Sequence, residues 1–289
     1  MKKATVILIA LISIGVLVTL LVIFLRPKPN EPPVVSDVEA VLVEKGTFTM
    51  GSNLASGNDD ERPAREVTIT YDFFIGKYEV TFEEYDKFCE ETGRAKPSDN
   101  NWGRGQRPVI NISWLDAIAY CNWLSEKEKL PKAYDANGNL LDRAGKITTD
   151  PSKVVGYRLP TEAEWEFAAR GGNKSEGYSL SGSDNADEIG WYSDNSGDMS
   201  QDVGKKKPNE LGIYDMSGNV WEWCTDVYDK FYYRAGPTTN PVNATLGNRA
   251  MRGGAYWDSA SGLRVTRRSF SGPASSSNLF GFRICRTAS

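Results

Sequence analysis

LGIYDMSGNVWEWCTD, Leu211 to Asp226, is the stretch on which the fold turns. Ser217-Gly218-Asn219 is a tight-turn signature. Trp221 and Trp223 behind it read as anchors of the turn and of a core, because large aromatic side chains dominate core burial. Asp215, the carbonyls of Gly218 and Val220, and Glu222 are spaced so that the turn aims four oxygens inward. Hard oxygen donors of this kind suit Ca²⁺. The alternative is that Asp215 and Glu222 only accept hydrogen bonds from backbone amides. Further along, Arg252-Gly253-Gly254 and Gly281-Phe282-Arg283 place glycines where two strands approach closely and arginines where they pair with buried acids.

Upstream, three capping boxes announce helices. Thr81-Phe82-Glu83-Glu84 starts the first, with Tyr85, Phe88 and Cys89 on its buried stripe and Gly93 as its stop. Ser113 and Asp116 start the second, with Ala117, Tyr120, Cys121 and Leu124 facing inward. Thr161-Glu162-Ala163-Glu164 starts the third, which ends at Arg170-Gly171. Strand signals are short: Val67 to Tyr71, Phe73 to Ile75, and the alternating Leu263 to Arg268. Asn137-Gly138 within DANGNLLD predicts a hairpin turn, since its glycine comes too early for an EF-hand. Lys205 to Lys207 reads as a solvated turn. Few helices and many short strands give an α+β domain with much irregular structure.

Composition removes whole classes of chemistry. The 289-residue chain has no histidine, so it has no imidazole ligand and no Ser-His-Asp triad. Its net charge of −4 gives no reason to expect a nucleic-acid partner. Cys89, Cys121, Cys224 and Cys285 form no CxxC pair, which argues against zinc or iron–sulfur sites. They read as buried free thiols, with two disulfides as the alternative outside the cytoplasm.

The N-terminus carries a different signal. Ala4 to Leu25 is apolar and uncharged, and at ~1.5 Å per residue it reaches about 33 Å, enough to cross a bilayer core. Lys2 and Lys3 precede it; Arg26 and Lys28 follow it, and the balance leans toward an exported domain. Residues 1–26 are therefore expected to be an uncleaved membrane anchor, 27–37 a proline-rich spacer, and 38–289 one domain.

YRLPTEAEWEFAARGG (from Tyr157), the Leu211 stretch, RGGAYW (from Arg252) and GFR (from Gly281) come in a fixed order. FTMGS (from Phe48), IGKYEVT (from Ile75) and PVINISWLDAIAYCNWL (from Pro108) precede them. Together, from about Val41 to Arg286, they resemble the formylglycine-generating enzyme family, or sulfatase-modifying factors. The resemblance implies an irregular C-type-lectin-like α+β fold, often stabilised by calcium. It also implies a calcium site at Asp215, Gly218, Val220 and Glu222. A second is implied at Asp187 and the Glu188 carbonyl, where a solvated acidic loop is the alternative.

In the family's copper-dependent oxidases, two cysteines five residues apart follow the RGG-aromatic motif and bind Cu(I). Those positions fall here on Asp258 and Leu263, neither of which supplies a thiolate. Copper is not expected, unless Cys224 and Cys285 form a rearranged pair. The iron-dependent sulfoxide synthases of the fold need histidines, which this chain lacks. The cleft lining implied by the resemblance is Trp257, Asp258, Ser259, Ser261, Ser269, Phe270 and Ser271. Arg267 and Arg268 are candidate anion contacts or structural ion pairs. Such a lining stacks and hydrogen-bonds but holds no evident nucleophile or redox group.

The expected function is therefore a membrane-tethered, extracytoplasmic domain that binds a small ligand or a protein without copper-dependent cysteine oxidation. Three alternatives stand beside it. One is an oxidoreductase acting on a partner protein through an unrecognised site. Another is a variable ligand-binding protein of a diversity-generating retroelement, a class that varies this same C-terminal segment. The last is an envelope assembly factor.

Overall fold

The structure is a computed structural model that describes residues 38–55 and 57–288. The expected anchor and spacer lie outside the described residues. Among the described residues no helix is long and apolar enough to cross a membrane.

All three capping boxes form as the sequence predicts. Thr81 Oγ1 accepts the Glu84 amide and opens α1 (Phe82–Thr92), which stops at Gly93 in the left-handed conformation, φ 70°. Ser113 opens α2 (Trp114–Lys127), and Thr161 opens α3 (Glu162–Ala169). Two further helices, α4 (Ala186–Ile189) and α5 (Tyr232–Ala235), are single turns. The inner faces of α1 and α2 meet through rings: Tyr85 stacks on Tyr120 at 5.7 Å, and Phe282 lies edge-on to both.

The strands are short. β1 (Ala40–Val43) and β9 (Cys285–Thr287) flank β4 (Phe73–Gly76) in an antiparallel sheet, so the first and last described strands share one sheet. β2 (Gly46–Met50) pairs with β3 (Arg65–Ile69). The largest sheet has the order β7 (Arg268–Ser271), β6 (Arg249–Arg252), β5 (Trp221–Val227), β8 (Phe280–Gly281), with β8 parallel to β5. The alternation from Leu263 to Arg268 does not make a strand. Ala260–Leu263 is a 3₁₀ turn, and β7 begins only at Arg268. Leu263 and Val265 go into the core while Arg264 and Thr266 bond the Glu61 carboxylate, so side-chain partners replace a ladder. Asn137-Gly138 does turn the chain, with Asp135 Oδ1 accepting the Asn137 and Asn139 amides and a bridge joining Tyr134 to Leu140.

Every residue of α3 is buried, three glutamates included. That is tolerable because each acid meets a guanidinium. Glu164 takes Arg158 in a fork of two 2.6 Å bonds. Glu162 takes Arg268 in a fork of two 2.7 Å bonds. Glu166 bonds Arg252 and Arg170. Burial alone would raise the Glu164 carboxyl, but the Arg158 charge and the hydrogen bonds from Arg158, Thr161 and Tyr71 together outweigh it and hold the group below the usual range. The four cysteines are buried and unpaired.

Candidate functional site

The turn before β5 has the backbone its sequence asks for. Asp215, Gly218 and Asn219 are left-handed, at φ 58°, 101° and 63°. A Cβ at Gly218 would lie 2.3 Å from the Trp191 carbonyl, so only glycine fits. Asp215 is buried. Its Oδ2 accepts the Gly204 amide at 2.7 Å, while its Oδ1 has no partner among the described residues. Burial pushes its carboxyl up to about 6.

Glu222, expected as a cation ligand, has both oxygens engaged. Arg283 binds it by two 2.6 Å bonds, and Trp165 Nε1 adds a third at 2.7 Å. Beside it stands a residue that sequence reasoning read only as part of a motif. Glu79 is fully buried, with Oε1 accepting the Val220 amide at 3.1 Å and Oε2 accepting Asn219 Nδ2 at 2.6 Å. Burial, then the charges of Asp215 and Glu222, push its carboxyl well up. Glu79, Asp215 and Glu222 thus face one guanidinium, Arg283. The excess of buried negative charge and the unpartnered Asp215 oxygen fit a cation. No group of three or more acidic or cysteine side chains among the described residues makes a preformed metal cage, so backbone carbonyls would have to complete the shell.

Asp187 and Glu188 stand elsewhere, on α4. Tyr192 Oη donates to Asp187 Oδ1 at 2.9 Å, and the Glu188 carbonyl accepts the Lys207 amide at 2.9 Å. Lys206 and Lys207, read from sequence as a solvated turn, both reach back onto this acidic pair.

The stretch from Trp257 to Ser271 divides in two. Trp257 is 62% exposed, beyond an edge-on contact of Tyr256 with Trp102. The Ala255 amide donates to Asp258 Oδ2 at 2.9 Å, and burial raises this carboxyl from the usual aspartate range. Ser259 and Ser261 hydrogen-bond each other at 3.0 Å. Leu263 is fully buried among Leu180, Ala186, Ile189 and Tyr192, and the left-handed Gly254 leaves it room. On β7, Ser269 and Ser271 face Met251 and Arg249, and Phe270 stacks on Tyr228 at 4.3 Å. Arg268 is not available to an anion, because Glu162 and the Asp60 carbonyl consume its donors.

The arrangement therefore offers aromatic faces and serine hydroxyls, and Ser259 and Ser261 bond each other rather than a carboxylate. A copper site does not fit: position 258 holds a bonded carboxylate and position 263 a buried hydrocarbon. Burial pushes the Cys224 and Cys285 thiols well up, away from the thiolate that copper needs.

Known proteins share this framework. The chain is 39% identical over 215 residues to the chaperone protein LppX of Paenibacillus barcinonensis, covering 66% of this chain and 71% of that one. It is 28% identical over 312 residues to the inactive C-alpha-formylglycine-generating enzyme 2 of Mus musculus, covering 87% of each. Among solved structures, Treponema denticola variable protein 1 superposes with a TM-score of 0.69 at 30% identity, covering 86% of this chain and 95% of that one. Residues 26–288 match the FGE-sulfatase family, described as the sulfatase-modifying factor enzyme 1-like domain, and the chain belongs to that family.

Proposed function

We propose that this chain is a formylglycine-generating-enzyme-like domain that binds a protein or small ligand and carries out no copper-dependent cysteine oxidation. The observation behind this reading is the pair Asp258 and Leu263, a bonded carboxylate and a buried hydrocarbon where copper oxidation needs two thiolates. The likeness to a relative named inactive agrees with it. The resemblance to a chaperone favours a protein as the bound partner. Trp257, Ser259, Ser261 and Phe270 are the contacts, with Asp258 shaping the turn beneath them. Arg268 holds the frame behind them. Residues 1–26 tether the domain, which works outside the cytoplasm. Incubating the purified chain with Cu(I), oxygen and a cysteine-containing peptide should leave the thiol intact. Turnover to an aldehyde would replace this reading with that of an oxidoreductase.

A second reading rests on the similarity to the Treponema variable protein: that Trp257 to Ser271 is a diversified ligand surface. A reverse-transcriptase gene and an imperfect copy of this coding segment nearby would support it, and their absence would end it.

Calcium belongs to the same proposal. Asp215, with the Gly218 and Val220 carbonyls, would hold the ion, and Glu79 and Glu222 would lend their charge. Calcium would act as a brace. Saturating the folded state at a hundredfold excess over Kd adds about 2.7 kcal/mol, so chelation should lower Tm. An unchanged Tm together with no bound calcium would remove the brace.

A further inference from the structure

The turn from Val203 to Lys207 links the two acidic centres. The Gly204 amide bonds Asp215 Oδ2 at 2.7 Å. Lys206 Nζ donates to the Asp187 carbonyl at 2.7 Å and lies 4.2 Å over the Trp191 ring. The Lys207 amide bonds the Glu188 carbonyl at 2.9 Å, and its ammonium bonds Glu188 Oε2 at 2.9 Å. Asn185 Nδ2 reaches the other Glu188 oxygen at 3.3 Å. The Asp187 carboxylate accepts Tyr192 Oη at 2.9 Å and Asn195 Nδ2 at 3.4 Å.

Both donors to the Asp187 carboxylate fall on Oδ1, so every oxygen of the Asp187–Glu188 pair except Asp187 Oδ2 already has a donor, and two of those donors are cationic. An ammonium over an indole face is also where the ring quadrupole attracts positive charge. We propose that Lys206, backed by Lys207, is the permanent cation of the Asp187–Glu188 turn. The chain supplies its own positive charge where a second metal ion would otherwise bind. The turn needs no metal and takes none. The chemistry is specific: Lys206 closes on a backbone carbonyl and an aromatic face, and Lys207 on a carboxylate. Asp187 and Glu188 share no ligand with the Asp215 turn, although the Lys206 charge reaches Asp215.

Two measurements on the full chain test it. The first counts calcium bound per chain after dialysis against CaCl₂, for the wild type and for Asp187→Asn. The counts should be equal whether the wild type holds no calcium or one. A count that falls by one in Asp187→Asn would overturn the proposal. Asp215→Asn reports separately on the other turn. The second is thermal melting of Lys206→Met, which keeps the stem and removes the charge. Its Tm should fall by about 2–4 °C, equally in calcium and in EDTA, and Lys206→Arg should recover most of the loss. A Lys206→Met chain that melts like the wild type, or whose loss appears only in EDTA, would overturn the proposal. Should Lys206→Met fail to fold, the Asp187→Asn count still decides.

Discussion

Arg252 and Trp257 stand five residues apart on one segment, yet they sit in opposite environments. Arg252 is fully buried, bonding Glu166 and lying 3.7 Å from Glu162. Trp257 projects from a turn of small polar residues whose hydroxyls bond one another. The first belongs to a frame of guanidinium–carboxylate pairs that also holds Arg158, Arg268 and Arg283. The second belongs to a surface on which little of the fold depends. Breaking a buried pair strands a charge, whereas changing an exposed side chain strands nothing. A frame of the first kind carries a surface of the second kind through large changes in its chemistry. Such a frame keeps its shape whichever residues occupy positions 258 and 259.

The sharpest way to break this contrast is at the frame. Arg252→Met takes one of two guanidinium partners from Glu166, which keeps Arg170, and from Glu162, which keeps Arg268, and should cost about 3 kcal/mol in urea unfolding. A cost under about 1 kcal/mol would mean that the pairs are ornamental.

Acidity probes the same frame more gently. Asp226, near the end of β5, accepts the Glu162 and Asn243 amides, yet burial and then the Glu162 charge push its carboxyl up to about 7. Asp215 is pushed up to about 6. An unfolded aspartate has already lost its proton near pH 4, so the folded state binds more protons between about pH 4 and 7. Stability should therefore fall as pH rises through that window and level off above it. Glu164 has the opposite sign. Its carboxyl is held low, so its contribution is present above the unfolded pKa and is lost as pH falls below it. In EDTA the two trends give a stability maximum at about pH 4. Asp226→Asn should flatten the upper limb by about 2 kcal/mol between pH 5 and 8. An unaltered slope would show that Asp226 is ionised in the fold. At the other end of the scale, Trp257→Ser should change unfolding free energy by less than about 0.5 kcal/mol. A larger loss would make Trp257 part of the frame.

The parts of the molecule that local chemistry determines could be read from the sequence. Thr81, Ser113 and Thr161 each cap a helix through an acid three residues later, and all three helices start there. Arg252 and Arg283 meet buried acids, as their glycine-flanked motifs implied. What escaped reading depends on distant partners. Glu79 follows a tyrosine near a strand end and looks ordinary until Asn219, 140 positions away, donates to it. Lys206 looks solvated until α4 offers it the Asp187 carbonyl, 19 positions upstream. Leu263 to Arg268 alternates like a strand, yet Glu61, from the far end of the domain, takes Arg264 and Thr266 out of any ladder.

That Asp258 and Leu263 give copper no thiolate is tested most directly by Cu(I) itself. The folded chain should be titrated with Cu(I) against a competing chelator, with X-ray absorption on whatever copper it retains. The account predicts no copper held through sulfur. One tightly bound Cu(I) with two sulfur ligands in the folded protein would contradict it.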